Sequence, residues 1–220
     1  MEYAMLVLHG HPLSTFCMKV TMALYETGTP FENALLDLGD GAARERLFAL
    51  WPLGQMPVLR DEARGETVPE TSAILEYLSL YYPGKVELVP RSPDLAWRAR
   101  LAERIFDLHV QAPMQKIVGD RIRPAGGKDP FGVNEARDRL ARSLDFLDGQ
   151  MAERAWALGE TFSIADCAAA PALFYADKVL PFAATHPNAF AYFERLKGRA
   201  SFARSLQDAE PFFDMFPAEA

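Results

Sequence analysis

The sequence predicts a small α/β layer followed by an all-helical half, and three observations predict it. Short apolar runs and helical repeats alternate in the order β-α-β-α-β-β-α as far as Tyr82. The stretch 84–94, GKVELVPRSPD, carries turn-formers and no helical period. Beyond it the apolar residues repeat at helical spacing. The expected organisation is an α/β domain over 1–83, a linker over 84–94 and an all-α helical domain over 95–220.

Residues 4–8 (AMLVL) form an apolar run before His9-Gly10-His11-Pro12, a buried strand entering a loop. From Ser14 onward Phe16, Val20, Ala23 and Leu24 recur at helical spacing, and Gly28 is the stop. Residues 31–38 (FENALLDL) suit a second strand, reached through a β-α-β crossover, and 41–50 a helix. Residues 58–60 and 66–68 flank a turn-rich stretch and predict a hairpin. A helix over 71–82 carries Ile74, Leu75, Leu78 and Tyr82 on one side and closes at Pro83-Gly84. In the second half Leu101, Ile105, Leu108 and Ala112 define a helix face, with Pro113 as a kink. Residues 124–130 (PAGGKDP) are a loop, and a helix over 133–155 presents Leu140, Leu144 and Leu147. Ser163 opens a third helix, and 191–199 form a fourth.

Composition narrows the function classes. The 30 acidic residues against 23 basic ones give a net charge of −7, which argues against a nucleic-acid partner. No apolar run approaches the ~18 residues that span a bilayer. The start, MEYAMLVLHG, lacks the pattern of a signal peptide, so the expected setting is cytoplasmic and away from membranes. Cys17 and Cys167 are too few for a disulfide framework or a zinc site, and no metal is expected.

Chemistry is expected at the start of the first helix. Ser14 lies where backbone N–H groups and the helix dipole favour negative charge, and its hydroxyl can donate to a thiolate. Taken alone, Ser14 reads more simply as an N-cap. Met56-Pro57 is a bond type that adopts cis, and a cis bond would expose the Met56 peptide to an extended partner; an edge-strand proline is the plain alternative. Glu70 can accept from an ammonium group, and Thr71 or Ser72 can cap a helix start that suits a carboxylate; taken alone, this too is an ordinary helix start. Together the three features describe a receptor for a small acidic thiol peptide.

At these residues the chain resembles the cytosolic glutathione transferases, with a thioredoxin-like N-terminal domain and a helical C-terminal domain. HGHPLSTFCMKVTMALYETGTPFE is similar to the serine-type classes, most of all the phi and theta group and its bacterial-style members. WPLGQMPVL resembles the NPxGxVPxL segment and ETSAILEYL the ESxAIxxYL segment. TFSIADCAAAP, with Ser163 and Asp166 at capping-box spacing, resembles the structural motif of the second domain. The resemblance implies that Ser14 activates the glutathione sulfur, and that Met56, before a cis Pro57, pairs with the cysteinyl unit. It places Gln55 near the peptide and Glu70 and Thr71 on the γ-glutamyl group, with Pro57 and Asp166 structural. Where the family has His-Lys for the glycyl carboxylate, this chain has Ala42-Ala43 followed by Arg44, whose guanidinium can clamp a carboxylate. Trp51 replaces Asn, and Thr71 stands where Ser is usual.

The second substrate, a small hydrophobic electrophile, is expected between the Ser14 loop and the first helices of the second domain. Phe106, Val110 and Met114 form a helical stripe that can line it, Phe212, Phe213 and Phe216 add apolar surface, and His11 can touch the electrophile; helix packing is the plain reading of each. The implied activity is glutathione S-transferase, by conjugation or by reduction of organic hydroperoxides, with glutathione as co-substrate, no metal, and a homodimeric assembly. Two alternatives stay open: a thiol transferase or reductase using Cys17, and a non-catalytic binding protein.

Overall fold

A computed structural model describes residues 6–37 and 39–219. Residues 4, 5 and 38 of the expected first and second strands lie outside the described residues. The strands β1 (Leu6–Gly10), β2 (Phe31–Leu35), β3 (Val58–Asp61) and β4 (Glu66–Pro69) form one sheet in the order β2-β1-β3-β4. β1 runs parallel to β2, with Leu6 opposite Phe31, and antiparallel to β3; β3 and β4 make the hairpin. The parallel pair requires a crossover, which α1 (Thr15–Thr27) supplies. β2 pairs only to Leu35 because its partner ends at Gly10. Leu36 then turns inward with Ala43, Leu47 and Val58, beneath α2 (Gly41–Leu50).

Helix α1 ends as its sequence requires. Gly28 takes the left-handed conformation (φ 71°), and its N–H reaches the carbonyls of Leu24 and Tyr25. Val20 and Leu24 pack on Leu6, Leu8 and Leu59 of the sheet and on Ile74 and Leu78 of α3 (Thr71–Tyr81). Met18, Met22 and Ala23 face the other way, into the core of the helical half.

The helical half begins with α4 (Pro93–Ile105), inside the stretch read as linker, because proline fits the first helical turn. No kink separates α4 from α5 (Ala112–Arg121). A π-helical turn, Phe106–Gln111, joins them, and Ala112 N–H bonds the Asp107 carbonyl ahead of Pro113. The face expected to be buried is the wrong one: Leu101 is 52% and Leu108 45% exposed. Ala96, Ala99, Glu103, Phe106, Asp107, Val110 and Gln111 are the buried positions of α4 and the π turn. Then come α6 (Pro130–Met151), capped by the Asp129 side chain, α7 (Ile164–Val179) and α8 (Pro187–Lys197). The fourth helix thus starts and stops earlier than its pattern predicts, with Pro187 in its first turn. A further helix, α9 (Ala200–Ala209), and a 3-10 segment, Glu210–Met215, follow. Among the described residues no helix is long and apolar enough to cross a membrane.

Asp166 organises the start of the buried helix α7. Its carboxylate accepts from Ser163 N–H (2.9 Å), Ala157 N–H (2.9 Å) and the Tyr192 hydroxyl (2.7 Å), while Ser163 Oγ accepts from Ala165 N–H (3.2 Å). Asp166→Ala leaves four buried donors, the Ser163 hydroxyl included, without that acceptor, an expected loss of about 3–5 kcal/mol. Thermal unfolding is expected to shift down by roughly 10 °C; a shift of a degree or two removes this organising role.

Candidate active site

A cleft of about 490 Å³ lies between the two halves. One wall comes from the α/β layer: Ser14 and Phe16 at the start of α1, residues 54–57 before β3, and Glu70, Thr71 and Ser72 at the start of α3. The facing wall comes from α4, the π turn and α5, through Arg104, Asp107, Leu108, Ala112 and Gln115.

Ser14 is the N-cap of α1, extended in backbone (φ −73°, ψ 124°), and its Oγ accepts from Cys17 N–H at 3.4 Å. The cap contact uses an oxygen lone pair and leaves the O–H hydrogen for a partner in the cleft. The N-cap and the thiol-binding readings therefore coexist in one hydroxyl. Cys17 itself is 2% exposed, and burial pushes its thiol up to about 11 against the opposing Ser14 contact. A thiolate there is unavailable near neutral pH, which opposes the Cys17 redox alternative. Gly10 faces it at close range: a Cβ at that position would lie 2.6 Å from the Cys17 sulfur.

The Met56–Pro57 bond is cis, and Gln55, Met56 and Pro57 all line the cleft. Trp51, in place of an asparagine, packs with Leu50 and Met56 against Leu47 and Val58. Glu70 has φ 67° and ψ 116°, a region that costs a non-glycine residue about 1–3 kcal/mol. Its side chain makes no capping bond and is exposed at the cleft. Neither Thr71 nor Ser72 is the cap. Ser72 Oγ instead donates to Glu103 Oε1 (2.5 Å), and among the described residues the Thr71 hydroxyl has no protein partner.

Three sequence expectations are corrected. Arg44 is exposed on α2, and among the described residues no α2 side chain lines the cleft; Asp40 caps that helix through Ala42 and Ala43 N–H. Phe106, Val110 and Met114 lie in the helical core, 2%, 0% and 3% exposed, because the opposite flank of their helix faces the cleft. His11 is turned away, onto Phe212 (4.6 Å between ring centroids), and its Nδ1 accepts from Leu13 N–H (3.2 Å). Burial lowers its pKa, Asp37 opposing, and it borders a separate cavity of about 60 Å³ behind the loop.

The residues that sequence reasoning missed are Lys19, Glu103, Arg104 and Asp107. Lys19 is 1% exposed and donates to Glu103 and to Asp107 Oδ2 (2.8 Å). Arg104 lies 3.6 Å from the same Asp107 oxygen. The available signal was Lys19 within an apolar helix, since a buried cation requires acidic partners. Burial pushes the Asp107 carboxyl up to about 6, with Lys19 opposing and Glu103 adding to the rise.

Known proteins are similar to this chain in sequence and fold. A family model described as glutathione S-transferase, N-terminal domain, matches residues 8–86, and one described as glutathione S-transferase, C-terminal domain, matches residues 118–195. Glutathione S-transferase 3 of Zea mays is 30% identical over 211 residues, covering 92% of this chain and 94% of that protein. The crystal structure of a glutathione S-transferase from Methylobacillus flagellatus KT with GSH bound superposes with a TM-score of 0.84 at 25% identity, covering 91% of this chain and 98% of its own. One from Methylobacterium radiotolerans, in complex with glutathione sulfonate, has a TM-score of 0.78 at 29% identity and covers 91% and 94%.

The Asp107 cluster generates a pH prediction. Its folded-state pKa of about 6 exceeds the unfolded value near ~3.9, so the folded state holds the proton to higher pH. The stability contribution of Asp107 falls as pH rises from about 4 to about 6. The melting temperature of wild type minus that of Asp107→Asn is expected to decline across that window and level off above it. A difference that rises with pH reverses the assignment.

Proposed function

The chain belongs to the glutathione S-transferase family, and from that premise we propose that Ser14 holds the glutathione sulfur as a thiolate for attack on a small electrophile. It is a glutathione transferase enzyme, with glutathione as the co-substrate that supplies the nucleophilic sulfur. The observation that supports the role of Ser14 is the place of its hydroxyl: it borders the cleft at the start of α1, one lone pair accepts from Cys17 N–H, and its O–H remains able to donate. The first-turn N–H groups and dipole of α1 add a field that favours the anion. The thiol proton passes to solvent, a sulfur–carbon bond forms, and the leaving group departs with its electron pair or the electrophile takes up a proton.

The remaining residues orient the peptide. The unpaired Glu70 carboxylate accepts from the γ-glutamyl ammonium, and Thr71 with the start of α3 receives its carboxylate. The Met56 backbone pairs with the cysteinyl unit, and Gln55 lies alongside. The electrophile meets Phe16, Leu108 and Ala112 beside Arg104, Asp107 and Gln115, a wall that suits an apolar body carrying a polar group. On this reading residues 1–83 form the glutathione-binding domain and 95–220 the helical domain.

A second copy of the chain is the proposed partner. A groove of about 360 Å³ between α4 and α6 is bordered by half-exposed Trp97, Leu101 and Phe146, an apolar surface of the kind that marks an interface. A cytoplasmic setting goes with two buried thiols left unpaired.

Ser14→Ala removes a charge-assisted hydrogen bond of about 1.5–3 kcal/mol. The pKa of the bound thiol is expected to rise by about 1–2 units and conjugation at pH 7 to fall about 10–100-fold. Thiolate absorbance and steady-state rates read both, and undiminished activity removes Ser14 from the mechanism. Glu70→Gly separates strain from binding. The melting temperature is expected to hold or rise, because glycine accepts a positive φ, while calorimetric titration shows glutathione binding about tenfold weaker or worse. Unchanged affinity overturns the role given to Glu70.

A further inference from the structure

We propose that the C-terminal segment 210–219 acts as a strap that positions Ser14 through Tyr175, making Tyr175 a positioning residue for the reaction. The inference rests on the reading that Ser14 activates the thiol.

Both polar backbone groups of Leu13, the residue before Ser14, are held by aromatic side chains. Its N–H donates to His11 Nδ1 (3.2 Å), and its carbonyl accepts from the Tyr175 hydroxyl (2.7 Å) across the boundary between the two halves. Each of these two rings is covered by a phenyl group of the strap. Phe212 meets His11 edge-on at 4.6 Å, and Phe216 stacks on Tyr175 at 5.3 Å with planes 24° apart. Tyr175 is 2% exposed on α7, and burial raises its pKa, so its hydroxyl remains a donor.

The strap has no fully buried residue of its own in its 3-10 segment, and its anchors lie at its far end. Arg121 donates to the Pro217 carbonyl (3.0 Å) and reaches Glu219 (3.3 Å), and Arg137 bonds the same carboxylate at 2.6 Å. Its aromatic residues are thus placed on the two rings that fix the loop, as well as against Phe174. Ser14 is sensitive to this placement because its own cap contact is long, 3.4 Å, and fixes the hydroxyl weakly. A small displacement of a catalytic donor costs rate well beyond its effect on folding.

Tyr175→Phe keeps the ring and its stack on Phe216 and deletes only the bond to Leu13. Arg121→Gln loosens the strap from a site outside the cleft. For both, the midpoint of the kcat/KM pH profile and the titration of the bound thiolate are expected to move up by about 0.5–1 unit. At pH 6.5 kcat/KM is expected to fall about three- to tenfold, with glutathione affinity nearly unchanged. A purely structural role would lower the melting temperature and leave the pH midpoint in place, and that result overturns the proposal. If wild type with glutathione shows no thiolate band below the pH of free thiol ionisation, the reading of Ser14 fails and this inference falls with it. A normal wild-type band with unshifted Tyr175→Phe and Arg121→Gln profiles overturns the strap alone.

Discussion

Helix α1 has no solvent-facing side: each of its residues is buried or half-buried. Most of the architecture follows from covering it. The sheet and α3 take one flank through Val20 and Leu24, and α7 takes another around Met18 and Met22. α9 closes the third, where Thr21 meets Ser205 at 3.2 Å, Tyr25 donates to Asp208 and Glu26 is gripped by Arg199 through two bonds. Because the helix is fixed on every flank, its amino end is fixed too, and that end carries Ser14. The Ser14 hydroxyl inherits its position from a packing requirement.

The same requirement explains the charges at the centre of the molecule. Lys19 is enclosed with the rest of α1, and a buried ammonium is tolerable only with acceptors at hand. Glu103 and Asp107 come from the facing helix, and Ser72 adds a hydroxyl to Glu103 from α3. Three elements thus meet through one polar cluster directly behind the cleft wall. Asp107 belongs both to that cluster and to the wall, so the protonation of a structural group reaches the cleft.

Strain and reinforcement concentrate at the cleft. Glu70 is held in a costly backbone conformation without a capping bond, the cost of presenting a carboxylate at the start of α3. The Ser14 side chain makes only a long cap contact, while its backbone is bonded to His11 and Met18, and the loop before it is secured from within by His11 and from the helical half by Tyr175. Where the cleft residues are stiff the α/β layer suffices, and at the Ser14 loop the helical half adds a restraint through Tyr175.

The local rules in the sequence determined a good deal. The parallel β1–β2 pair, the hairpin, the Gly28 stop, the Ser163–Asp166 box and the Leu140, Leu144, Leu147 face all follow from periodicity and capping chemistry. So does the approach of Ser14, residues 55–57 and Glu70-Thr71 to one cleft, because the crossover and hairpin bring three element starts to the same end of a sheet. Tertiary structure decided the rest. The buried face of α4 is the one bearing Ala96, Ala99 and Glu103 rather than the one bearing Leu101, because it must answer Lys19. Helix α9 escaped a reading of apolar period because Ser201 and Ser205 sit on its buried side. His11 and the Phe106 stripe were assigned to the site by residue type, yet each side chain faces elsewhere. Periodicity reports which residues share a face, and only the packing partners determine which face is covered and which opens on the substrate.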